Sequence, residues 1–168
     1  MILCLDIAFA NTGWAAMDKG VPVAYGTIRT EKDKRKSVRV SDDKAFRAGK
    51  MAEELKEVIE LYTPLGIIAE LPHGSQNASA ANLLGWASGI VVSMATAYSI
   101  PCEWISEGDS KLAAIGRRTA TKDEMMQWAR NRWPEIEFPK AKTHFEHVAD
   151  SLAAYHGLRH GILVRTFG

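Results

Sequence analysis

The sequence predicts an α/β fold: a mixed five-stranded sheet, three antiparallel strands then two parallel ones, flanked by helices. Three observations carry this. Short apolar runs at 1–7, 65–71 and 101–105 are bounded by polar or turn residues, as strands buried on both faces are. Asp18-Lys19-Gly20 is a hairpin signal joining apolar segments at 12–17 and 21–28. The order β-β-β-α-β-α-β-α-α then gives a mixed sheet in which the first and fourth strands are neighbours.

The first strand, Met1-Ile-Leu-Cys-Leu-Asp6-Ile7, is apolar except for Asp6, and Asn11-Thr-Gly13 turns the chain after it. Residues 31–43 are highly charged and read as a mobile loop. In 44–62, Phe46, Met51, Leu55, Val58, Ile59 and Tyr62 fall at helical spacing, and Thr63-Pro64 ends that helix. The strand at 65–71 again finishes on a carboxylate, Glu70, before Pro72-His73-Gly74. Residues 77–99 form a helix with almost no polar face, expected to cover the sheet on one side and a partner subunit on the other, with Val91 in the partner contact. Residues 106–116 are short and helical or irregular. Thr121-Lys-Asp-Glu124 is a capping box opening a helix to about Trp133. After a loop at 138–142, the last helix spans 143–157, with Phe145, Val148, Leu152 and Tyr155 as its apolar stripe.

A chain of 168 residues holds one full core, so 1–168 is expected to be a single domain. Cys4 and Cys102 lie in apolar runs and read as buried thiols of a reducing compartment. Asp6 interrupts the N-terminal apolar run, which argues against a secretory leader, and glycines and hydroxyl residues make 83–100 a poor membrane span. A cytoplasmic protein without a membrane is expected. The net charge of +1 excludes nothing, but its distribution is informative. From 29 to 50 there are nine bases and four acids, from 51 to 109 eight acids and one base, and from 110 onward ten bases and six acids. Basic edges around an acidic middle could bind a polyanion while an acidic pocket holds cations.

Asp6 and Glu70 end two buried strands, and the last helix carries His147 and Asp150 on one face. Each has a plain structural use: a turn cap, a strand-end charge, a helix-surface pair. Together they make an oxygen-rich cluster that suits hard divalent cations.

These residues resemble a known family. Leu-Asp6-Ile with Thr12-Gly13, Ala69-Glu70, residues 77–85, Lys111 and Lys122 around Ile115-Gly116, and His147-Val-Ala-Asp150-Ser-Leu-Ala-Ala154 are similar to the RuvC-type Holliday-junction resolvases. These belong to the ribonuclease-H-like superfamily. The resemblance covers nearly the whole chain. It implies a metal-dependent endonuclease making paired symmetric nicks in four-way DNA junctions during recombination and repair, with two Mg²⁺ or Mn²⁺ ions per site, in a homodimer. By position it assigns Asp6, Glu70, His147 and Asp150 as metal ligands and catalytic residues, and Lys122 as catalytic. DNA contacts would fall to Lys111, Lys122, His73, Asn77, Arg117 and Arg118. The chain departs from the family pattern at Asp6-Ile-Ala-Phe, where Asp-Pro-Gly is usual, and in its charged 31–43 segment; it looks like a divergent, phage- or plasmid-type member. Three alternatives stay open: a flap or fork nuclease on the same fold, a non-catalytic junction-binding protein, and a zinc or structural protein using His144, His147, His156 and His160.

Overall fold

The computed structural model describes residues 1–72, 74 and 77–168. Strands β1 (Ile2–Asp6), β2 (Asn11–Asp18) and β3 (Val21–Arg29) form an antiparallel meander. Strands β4 (Gly66–Leu71) and β5 (Cys102–Ser106) continue the sheet in parallel on the other side of β1, in the order β3-β2-β1-β4-β5. The expected three-plus-two sheet and the β1–β4 neighbourhood are both present. At the hairpin tip Lys19 (φ 47°) and Gly20 (φ 82°) are left-handed, the conformation that lets a two-residue turn follow the strands' own twist.

Two apolar layers cover the sheet. On one face Leu3, Leu5, Ile67 and Ala69 pack against α1 (Val40–Tyr62) and α2 (Ala78–Ala97). On the other, Ile2, Cys4 and Ile68 pack against α4 (Lys122–Arg132), α5 (Lys142–Gly157) and α6 (Ile162–Phe167), and α3 (Glu107–Ile115) lies against α5. Side chains alternate along a strand, so Asp6 continues the side of Ile2 and Cys4, and Glu70 that of Ile68. Both carboxylates therefore face the α5 layer. The Thr121–Glu124 capping box forms as expected, with both reciprocal hydrogen bonds.

Four expectations need correction. Helix α1 starts at Val40, inside the charged segment, where Asp42 and Asp43 sit in its first turn and complement the positive end of the helix dipole. Phe46 is off the core face and 75% exposed, and the buried line is Asp43, Arg47, Met51, Leu55 and Ile59. A four-residue repeat selects that line, and the polar members at its start find partners. The Arg47 guanidinium lies 4.7 Å from the Phe9 ring centre and donates to the Thr30 hydroxyl at 3.1 Å. The Thr30 hydroxyl in turn donates to the Phe9 carbonyl, and Trp86 packs edge-on against Phe9. The segment after β1 is thus held between α1 and α2.

Val91 is the third correction: it is fully buried on the sheet side of α2, with Ala87 and Ala95, and not on the outer face. Val92 is exposed off the sheet side, while Trp86 turns towards Phe9 and Tyr98, just past the end of the helix, donates to Glu60 on α1. Fourth, α2 is long and apolar enough to cross a membrane by length and composition, because its glycines and hydroxyl residues interrupt it without adding charge. Helix α6 had no counterpart among the expected elements. Both cysteines are free, Cys4 buried and Cys102 half-buried.

Candidate active site

One rung of the sheet organises the site. Thr27, Gly13, Asp6, Glu70 and Ile105 are successive partners across the five strands. Neighbouring strands stand about 4.8 Å apart, so Asp6 and Glu70 are side by side on one face. Helix α5 crosses above. A methyl group on Gly13 would come within 2.2 Å of the His147 carbonyl oxygen, so β2 and α5 approach as only a glycine permits. That closeness sets His147 over Asp6: its Nδ1 lies 2.7 Å from Asp6 Oδ2. One turn on, Asp150 points into the same space.

The charge here is under-neutralised. Glu70 is 6% exposed. Burial, and then the negative charges of Asp6 and Asp150, push its carboxyl up to about 9, against a hydrogen bond from the Ser110 hydroxyl. Burial and Asp6 likewise push Asp150 up to about 7, Lys111 and His147 working the other way. The hydrogen bond to Asp6 raises His147 above its ordinary value, against its burial. Among the described residues no three His, Cys, Asp or Glu side chains converge on one point as ligands of a bound ion do; Asp6 is turned to His147. The donor set nevertheless suits a hard cation in chemistry and charge: carboxylate oxygens, buried, with an excess of negative charge.

The remaining expected residues divide. Lys111, on α3, reaches the acid cluster. It pairs with Glu107 one turn earlier, and although burial opposes its charge, Glu107, Asp150 and Glu70 hold it above its usual value. Lys122 is exposed and pairs with Glu146 at 2.8 Å, beside His147. Arg117 pairs with Glu124, and Arg118 with Asp109 at 2.7 Å. Asn77 caps α2, its Oδ1 accepting from the Ser79 and Ala80 amides. His73 lies outside the described residues. Of the other histidines, His144 sits 3.5 Å from the Thr27 hydroxyl, and His156 packs edge-on against Trp128. Sequence reasoning missed Glu107, whose charge acts on both Glu70 and Asp150. The signal was weak: Glu107 follows the last residue of β5, Ser106, and opens α3, whereas Asp6 and Glu70 lie within their strands.

No protein-family model matches the chain. It is 31% identical over 131 residues to the crossover junction endodeoxyribonuclease RuvC of Pseudothermotoga lettingae, spanning 78% of this chain and 74% of that protein. The chain belongs to the RuvC family. A second RuvC, from Desulforamulus reducens, is 27% identical over 172 residues, spanning 100% of this chain and 97% of that one. The fold is also that of solved RuvC structures. Thermus thermophilus RuvC, in complex with a Holliday junction substrate, superposes with a TM-score of 0.72 at 19% identity, covering 93% of this chain and 90% of that one. The yeast mitochondrial Holliday junction resolvase is more distant, with a TM-score of 0.56 at 12% identity.

Proposed function

We propose that this RuvC-family chain is a divalent-cation-dependent endonuclease that resolves four-way DNA junctions by paired symmetric nicks, acting as a soluble cytoplasmic homodimer of single-domain (1–168) subunits. The observation that supports it most is the pairing of Asp6 and Glu70 on one rung with Asp150 half-buried over them. Asp6, Glu70 and Asp150 supply the carboxylate oxygens, and His147 either orients Asp6 or joins it as a ligand. Two Mg²⁺ or Mn²⁺ ions held there would activate a water and neutralise the departing oxygen of the phosphodiester. Lys111 sets a positive charge beside the scissile phosphate. Lys122, Arg117 and Arg118 exchange their carboxylate partners for backbone phosphates, and Asn77 and His73 are assigned DNA contacts by their match to the family pattern alone.

The test is cleavage of a labelled mobile four-way junction, beside duplex, flap and single-strand controls, by wild type and Asp6→Asn. Paired symmetric nicks by wild type alone are expected. Equal cutting of all branched substrates would replace the proposal with a broader flap or fork nuclease, and tight binding without cutting in Mg²⁺ or Mn²⁺ would leave a junction-binding protein.

The dimer contact is proposed on the outer face of α2, where Val92 is exposed. Val92→Asp is expected to give a monomer by light scattering, since an interface core does not accept an unpaired charge. A variant that stays dimeric would remove α2 from the contact.

A further inference from the structure

We infer that Glu107 is a positioning residue that docks the Lys111 ammonium, keeping it off Glu70 and Asp150 so that those carboxylates stay open to the cation. The inference rests on the reading of the acid cluster as a metal site.

Glu107 is the first residue of α3 and Lys111 lies one turn later, with the acid N-terminal to the base, the favoured order for such a pair. The Lys111 side chain is only 17% exposed, so its charge needs a partner within the protein. Three carboxylates are within electrostatic reach: Glu107, Asp150 and Glu70. The structure pairs it with Glu107. Of the three, Glu107 is the least buried, with 39% of its side chain exposed. Without that partner, a sheltered ammonium with Asp150 and Glu70 also within reach will pair with one of them. It would then occupy the oxygens that a divalent ion requires. Glu107 thus fixes where the lysine's charge sits, near enough to serve a phosphate and displaced from the acid pair.

The experiment is a Mn²⁺ titration of chelator-stripped full-length protein, read by the electron paramagnetic resonance of free Mn²⁺, for wild type, Glu107→Gln, Lys111→Met and the double variant. Glu107→Gln is expected to weaken Mn²⁺ binding roughly 10-fold, the scale of losing a group that orients a metal site. The double variant is expected to regain wild-type affinity or better, because the competing ammonium is gone. In the junction assay, raising Mn²⁺ should rescue Glu107→Gln towards wild-type kcat, and Glu107→Asp should bind and cut as wild type does. Unchanged Mn²⁺ binding in Glu107→Gln would overturn the inference. A double variant as weak as Glu107→Gln would also overturn it, marking Glu107 as a direct ligand. If wild type itself binds no Mn²⁺, the metal-site reading falls, and the inference with it.

Discussion

Glu70→Gln should lose junction cleavage by roughly 10³-fold or more while leaving the protein folded, on the scale of removing a principal charge from a transition-state site. The amide keeps the shape of the side chain and deletes one charged oxygen at the centre of the rung. Single-turnover cleavage with saturating enzyme is the measurement, because it separates the chemical step from DNA binding. If Glu70→Gln cuts within about tenfold of wild type, the proposed role of the Asp6–Glu70 pair is wrong.

The same substitution should have the opposite effect on stability. Glu70 titrates near 9 in the folded protein against 4.5 ordinarily, and Asp150 near 7 against 3.8. Between those values the folded state holds a proton that the unfolded chain has released, so stability falls as pH rises. Each pH unit costs about 1.4 kcal/mol per group. His147, raised by Asp6, acts in the same direction. His156 is lowered to about 4 and acts in the opposite direction, but only between that value and 6.5. Above pH 6.5 the trend is therefore one-sided. Between pH 6.5 and 8.5 the chelator-treated protein is expected to lose on the order of 3 kcal/mol from Glu70 alone, visible as a falling melting temperature. Glu70→Gln should flatten that fall, and added Mn²⁺ should oppose it in wild type. A melting temperature that climbs over this range, or a Glu70→Gln variant that melts below wild type at pH 8.5, would contradict the electrostatic account.

The elements legible in the sequence were those whose pattern has a local cause. Buried strands announced themselves as short apolar runs, and β1, β4 and the hairpin were readable to within a residue or two. The capping box gave the start of α4 because both of its partners lie within four residues. Asp6, Glu70 and Asp150 stood out because each interrupts an apolar stretch. What was not legible depended on partners distant in sequence. Phe46 fits a helical stripe, yet the core line passes through Asp43 and Arg47, which a sequence pattern reads as solvent-facing; Arg47 is held by Thr30 and Phe9, and Asp43 by the Asp33 amide. Val91 and Val92 are equivalent by composition, and only the angle at which α2 meets the sheet buries one and exposes the other. Helix α6 is six residues long, and the Glu103 carboxylate receives the Leu163 amide in its first turn, a contact across sixty positions that no local rule contains. Glu107 is hidden for another reason: as the first residue of α3 it reads as an ordinary acid at a helix start, and its place beside Glu70 and Asp150 depends on the packing of α3 on α5.

The parallel register of β1 and β4 makes the spacing of Asp6 and Glu70 a property of the backbone. Its consequence concerns which sequence changes the protein can survive. A substitution on either strand can be absorbed by repacking, but inserting or deleting a single residue within β4 turns Glu70 to the opposite layer, against α1 and α2. Such a change before Glu70 would bury a carboxylate beside Leu5 and Val91 and leave Asp6 without its partner on the rung. On the proposed role of Asp6 and Glu70, length changes are expected to be absorbed between the strands, as in the charged segment before α1, and to abolish activity within β4, a limit set by chemistry before it is set by folding.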